Sequence, residues 1–256
     1  MAKIRTLVLR APGSNCDGET AFAFERAGAE VSLVHVNRLL SGEQRFADYQ
    51  ILAIPGGFTY GDDIAAGKVL ANELKLKLGE DITRFVEAGG LIIGICNGFQ
   101  VMVKAGILPE PGRRGIAKVT LTNNDSGRFE CRWVYLEVNQ QSPCIFTRGI
   151  ERMYLPVAHG EGKFAAEPKV LPRVNVAVSY TDEQGNHDAG YPHNPNGSVN
   201  DIAGICDSSG RIFALMPHPE RHIRGTQHPQ WTRLGVKRQG DGFKIFQNAV
   251  NWAQEA

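Results

Sequence analysis

The chain has 256 residues, 42% of them apolar, with 28 Lys and Arg against 27 Asp and Glu. That length can bury the core of one ordinary domain, expected to span residues 1–256. A nearly neutral chain offers no bulk basic field to a nucleic acid, and no apolar run approaches the roughly 18 residues of a membrane span.

Lys3, Arg5 and Arg10 interrupt the apolar stretch near the start, which argues against a secretory signal. The five cysteines (Cys16, Cys96, Cys131, Cys144, Cys206) are odd in number and lack a C-x-x-C pair. A disulfide framework and a zinc ribbon are both poor readings of that pattern. The expected setting is the reducing cytoplasm.

Residues 3–10 read as a strand, 11–15 as a turn, and 17–27 as a helix closed by Gly28. Strands are expected at 31–36 and 50–54, the latter cut off by Pro55-Gly56-Gly57. Helices at 64–76 and 80–88 precede Gly89-Gly90 and a fourth strand at 91–95. Continuous apolar strands separated by helices indicate a parallel sheet covered on both faces.

The second half differs, with short strands expected at 119–122, 132–138, 152–157, 174–179, 202–206 and 212–215. Some of these should add antiparallel strands to the main sheet, and 243–253 should close the chain as a helix. The expected fold is therefore α/β, with an open, mostly parallel central sheet and antiparallel additions.

Gly94-Ile95-Cys96-Asn97-Gly98-Phe99-Gln100 ends a buried strand and opens a helix. G-x-C-x-G is the thiol counterpart of the nucleophile elbow, whose glycines avoid collisions in a strained strand-to-helix turn. Such a turn carries the sulfur to the carboxyl end of the sheet, where open α/β sheets bind ligands. A helix N-terminus beneath it favours the thiolate.

A base is needed, and Met216-Pro217-His218-Pro219-Glu220 follows the predicted strand 212–215. The two prolines hold His218 out of a helix. In a flat strand His218 and Glu220 would face opposite ways, so the chain must turn at Pro219 if Glu220 orients His218. A surface ion pair of Glu220 with Arg221 or Arg224 is the plain alternative, and His35 and His187 have no expected part. Pro217 and Pro219 argue against a helix that would align His218 and His222 as a metal pair.

Pro55 to Asp63 (PGGFTYGDD) sits at another strand end, and the Gly57 and Asn97 amides could form an oxyanion hole. Gly61 and Gly67-Lys68-Val69 are separated by five residues, whereas a P-loop needs four and then Ser or Thr. No nucleotide site is recognisable in the sequence.

GICNGFQ, MPHPE and PGGFTYGDD together resemble the class I (triad-type) glutamine amidotransferases. PGSNCD at 12–17, GRFECRW at 127–133, HGEG at 159–162 and NPNGS at 194–198 resemble more closely the glutaminase subunits of phosphoribosylformylglycinamidine synthase in purine biosynthesis. The resemblance runs from about residue 4 to residue 224. It implies a flavodoxin-like glutaminase fold with Cys96 as nucleophile, His218 as base and Glu220 orienting it. Gly56, Gly57, Asn97, Gln100 and His159 would meet substrate L-glutamine. Ala158 departs from the Ser expected before HGEG.

The resemblance further implies no metal or cofactor in this chain. ATP and Mg belong to a separate synthetase subunit that uses the ammonia on formylglycinamide ribonucleotide, and a small bridging subunit joins some such pairs. Nucleic acid and membrane partners are not expected. A γ-glutamyl thiol hydrolase, the glutaminase of another amidotransferase and a catalytically dead scaffold are the competing readings. Arg113-Arg114 and Arg221 to Arg224 read as solvated loop residues, with partner docking as the alternative. Cys131, Cys144 and Cys206 read as structural, while Cys16 has no assigned part.

Overall fold

The computed structural model describes residues 3–110 and 119–255, so Arg113-Arg114 lie outside the described residues. Its first half runs β1 (Arg5–Arg10), α1 (Asp17–Arg26), β2 (Glu30–His35), α2 (Val36–Leu40), β3 (Ile51–Ile54), α3 (Lys68–Lys77), α4 (Gly79–Glu87), β4 (Leu91–Ile95) and α5 (Asn97–Ala105). The second half adds β5 (Val119–Thr122), β6 (Glu130–Val138), β7 (Arg152–His159), β8 (Lys163–Ala166) and β9 (Asn175–Thr181). β10 (Ile202–Cys206), β11 (Ile212–Leu215), α6 (Trp231–Leu234) and α7 (Phe243–Glu255) complete it.

Nine strands form the main sheet in the order β2-β1-β3-β4-β11-β10-β9-β6-β7. From β2 to β11 every pairing is parallel, and the 2-1-3-4-5 pattern of that block is the flavodoxin-like order. From β11 to β7 every pairing is antiparallel. β5 and β8 make a separate two-stranded sheet.

Residue pattern and burial agree strand by strand. Every side chain of β3 (ILAI) and β4 (LIIGI) is buried, as strands covered on both faces require. On β6, Val134, Leu136 and Val138 are buried while Trp133, Tyr135 and Glu137 are less so, the alternation of a sheet with one packed face. Helices complete the core: Phe246 of α7 meets Phe24 of α1 edge-on at 5.0 Å between ring centroids. Phe99 of α5 stacks on Phe164 of β8 at 6.2 Å.

The differences from the sequence expectations have local causes. The helix expected from residue 64 begins at Lys68, because Ile64 (φ 73°) and Gly67 (φ 69°) are left-handed and cannot continue a helical turn. Ile64 is 88% exposed. The strand expected to reach Val36 stops at His35, whose Nδ1 accepts from the Asn37 amide (3.2 Å) and caps the short α2. β8 and α6, four residues each, are too short and mixed to leave a periodic pattern in the sequence. β5 pairs with β8 and not with the main sheet. Cys131 is exposed on β6 and plays no core part, whereas Cys144 and Cys206 are buried.

Candidate active site

Cys96 follows β4 at φ 51°, ψ −105°, outside the regions a non-glycine residue ordinarily occupies. Two anchors hold it there. Its amide donates to Leu215 O of β11 (2.8 Å), and α5 starts at Asn97, directly beneath it. The glycines are required sterically. A Cβ at Gly98 would overlap the Ile54 carbonyl at the end of β3, and one at Gly94 would run into Met102 and the Gly98 backbone. The thiol is 5% exposed, at the positive end of a helix.

His218 lies beyond β11, its amide bonded to Pro156 O of β7 (2.8 Å). The chain does turn at Pro219: residues Pro219–Arg221 form one 3₁₀ turn that swings Glu220 back beside His218. Nδ1 of His218 lies 2.6 Å from Oε1 of Glu220, and both side chains are buried. The carboxylate fixes the proton on Nδ1 and leaves Nε2 for other chemistry. Nε2 has no hydrogen-bond partner among the described residues, nor has Oε2 of Glu220. Burial opposes charge on the imidazole, yet Glu220 and then Cys96 outweigh it and hold the His218 pKa well above its ordinary value. The Cys96 thiol itself is turned onto Ala158 O (3.6 Å).

The loop after β3 brings the glycine pair to the same place. A Cβ on Gly56 would meet His218 Cε1 at 2.9 Å, Cys16 Sγ at 3.2 Å and Cys96 Cβ at 3.5 Å, so only a glycine backbone fits between them. Asn97 is held by its side chain: Oδ1 accepts from Thr59 Oγ1 (2.7 Å), and Nδ2 donates to Gln100 Oε1 (2.9 Å) and Asp62 Oδ1 (3.3 Å). Gln100 in turn donates from Nε2 to Glu161 O (2.6 Å). The main-chain amides of Gly57 and Asn97 take no part in these bonds, and Asn97 sits in the first helical turn, where amides lack intrahelical acceptors.

A cavity of about 480 Å³ has Cys96, Gly57, Asp62, Gln100, Arg128 and His159 among its walls; Gly56, Asn97, His218 and Glu220 are buried and are not part of that lining. A larger hollow of about 890 Å³ opens around Gln50 and Gly90, just ahead of β3 and β4, and holds none of the candidate residues. His159 is buried with Nδ1 3.1 Å from Asn124 Oδ1, an acceptor that also takes the Gly162 amide (3.0 Å). Burial, helped by the charge on His218, pushes its pKa down to about 4. His159 is therefore neutral where His218 is charged.

Two further residues for which the sequence shows no role pack against this site. Cys16, in the turn after β1, is buried with Sγ 4.0 Å from His218 Nδ1 and 3.1 Å from a guanidinium nitrogen of Arg221. Asn124 ties the HGEG loop to the turn before β6, its Nδ2 donating to His159 O and Arg128 O (both 2.8 Å). The one available signal for Cys16 was its place at the carboxyl end of the first parallel strand. Cys16, His218 and Glu220 offer ligand atoms within 4.8 Å of one another, but the Arg221 cation on the sulfur opposes a metal there. Glu220 makes no surface ion pair, and His187 bonds Glu137 (2.7 Å) away from the cavity lining.

Residues 3–253 match the CobB/CobQ-like glutamine amidotransferase domain, and the chain belongs to that family. The chain is 62% identical over 255 residues, the full length of both proteins, to phosphoribosylformylglycinamidine synthase subunit PurQ of Dehalococcoides mccartyi. A Methanococcus maripaludis protein of the same name is 44% identical over 264 residues, 97% of each chain. Among solved structures, PurLQS from Thermotoga maritima aligns with a TM-score of 0.75 at 35% identity, covering 98% of this chain and 99% of that one.

Proposed function

We propose that the chain is the glutaminase subunit of a phosphoribosylformylglycinamidine synthase, a single domain that hydrolyses L-glutamine and passes ammonia to a separate synthetase subunit. The observation that carries the chemistry is the convergence on Gly56 of a thiol from β4 and an imidazole–carboxylate pair from β11. The full-length likeness to proteins bearing that subunit's name, and to a PurLQS structure, supports the pathway and the partner.

In this reading Cys96 is the nucleophile, His218 the base and Glu220 its orienting acid. The Cys96 thiolate attacks the side-chain amide carbon, and the Gly57 and Asn97 amides take the oxyanion. Imidazolium Nε2 protonates the departing nitrogen, so ammonia leaves and a γ-glutamyl thioester remains. Neutral His218 then takes a proton from water, whose oxygen attacks the thioester; glutamate and the thiolate are released. Gly56, Gln100 and His159 shape the glutamine pocket.

Thiol, imidazole and carboxylate need neither metal nor nucleotide for these steps, so ATP and Mg are assigned to the synthetase. The acceptor there is formylglycinamide ribonucleotide. No helix among the described residues is long and apolar enough to cross a membrane, and five free thiols support a cytoplasmic setting. The test is glutamate release with and without the synthetase. Stimulation by the synthetase is expected; good cleavage of γ-glutamyl peptides with no response to the synthetase would sink the assignment.

A further inference from the structure

Glu220 presents a puzzle of charge. Its Oε1 is committed to His218, while Oε2 is buried without a partner among the described residues. A bare buried carboxylate oxygen is costly, and a guanidinium is the partner best shaped to take it. The next residue in sequence is Arg221, half-buried, yet its side chain does not bond Glu220. One guanidinium nitrogen donates to Cys16 Sγ at 3.1 Å, and Nε lies 3.6 Å from Glu19 Oε1.

Cys16 is in turn fixed from its own side. Its amide bonds Gly56 O (3.2 Å), its carbonyl accepts from Thr20, and its thiol donates to Asn15 Oδ1 (3.1 Å). Burial, the largest influence on it, pushes the Cys16 pKa up, so the group is a neutral thiol rather than a second anion beside His218. The titratable and charged groups around His218 are then Glu220 and Arg221 from its own turn, Cys96 from the elbow, Cys16 from the turn after β1, and His159 from β7.

We propose that Cys16 is a positioning residue: its sulfur fills the space beside the imidazole and holds the Arg221 guanidinium off Glu220, so that the carboxylate acts on His218 alone. This rests on the reading of Cys96, His218 and Glu220 as the triad. An arginine bound to Glu220 would neutralise the charge that stabilises the imidazolium, and thereby the Cys96 thiolate that pairs with it.

The test is the pH profile of Cys96 alkylation by iodoacetamide on the full chain, read at the Cys96 peptide by mass spectrometry, with glutamate release measured on the same samples. For Cys16→Ala the alkylation midpoint should rise by about one pH unit. Arg221→Gln in that background should bring it back to about the wild-type value, and Cys16→Ser, which keeps an acceptor, should move it little. A mere packing role predicts lower stability with no shift and no restoration by Arg221→Gln, and that result overturns the proposal. If the alanine chain does not fold, Cys16→Val keeps the volume without a good acceptor and should shift the midpoint in the same direction. Normal glutamine hydrolysis with an unmoved profile removes only the role of Cys16. A shifted and restored profile without glutamine hydrolysis removes only the glutaminase reading.

Discussion

The parallel and antiparallel halves of the sheet supply different things to the cavity, and two histidines show the difference. His218, beyond parallel strand β11, is held charged by a carboxylate against the pull of burial. His159, the last residue of antiparallel strand β7, meets no carboxylate and is held neutral, with a pKa near 4. Parallel strands all end on one side, so the ends of β1, β3, β4 and β11 bring Cys16, Gly56, Cys96 and His218 together. The antiparallel half contributes wall and support: Pro156 O to the His218 amide, Ala158 O to the thiol, and the HGEG loop to Gln100. Charge is made in one half and contained by the other.

Substitutions should separate the halves by size and kind of effect. Removing the thiol with Cys96→Ala should lower glutamate release by about 10³-fold or more, while synthesis from added ammonium with the partner persists. Loss of both activities would make Cys96 structural. Glu220→Gln should cost about 10²–10⁴-fold in kcat, since the imidazole loses the charge that holds its tautomer and its proton. An unchanged pH profile for that variant would remove Glu220 from the mechanism.

Gly98→Ala should destabilise the fold by about 1–3 kcal/mol, because the methyl overlaps a strand-end carbonyl that cannot easily retreat. Urea unfolding reads this directly, and full stability would refute the close packing of α5 on β3. An effect of comparable size, confined to acidic pH, is expected in the antiparallel half. His159 has a folded pKa below its unfolded value of about 6.5, so its contribution is present above that pH and is lost as pH falls towards 4. His159→Gln should flatten the fall in stability across that window by about 2–3 kcal/mol. His218 has the opposite sign: its contribution is full below about pH 6.5 and is lost as pH rises through its folded value. Unfolding midpoints measured from pH 4 to 8 distinguish the two.

The placement of Cys96 and His218 at neighbouring strand ends was legible in the sequence because each rests on local backbone chemistry. The glycines around Cys96 and the prolines around His218 dictate backbone shape within a few residues, and apolar runs such as LIIGI announce a doubly covered strand. What could not be read depends on distant pairings. The bond between Cys16 and Arg221 joins the two ends of the chain, and no periodicity encodes it. β8 is a strand only because it pairs with β5, and α3 starts late because its first residues turn left-handed over the cavity. Nor does sequence pattern reveal that Ala158 receives the thiol through its carbonyl, a contact any side chain at that position would leave in place.

Within the main sheet the parallel and antiparallel halves are joined by β11, a strand of four residues late in the chain that sits between β4 and β10. During synthesis Cys96, its elbow and the Gly56-Gly57 loop all emerge long before the strand that must slot between the halves. Until it arrives, the sheet has two open edges and His218 has no place to stand. The same short strand therefore acts as a completion signal. A nascent chain that lacks β11 has no seat for His218, and Cys96 and His218 meet only when the sheet is closed across its middle.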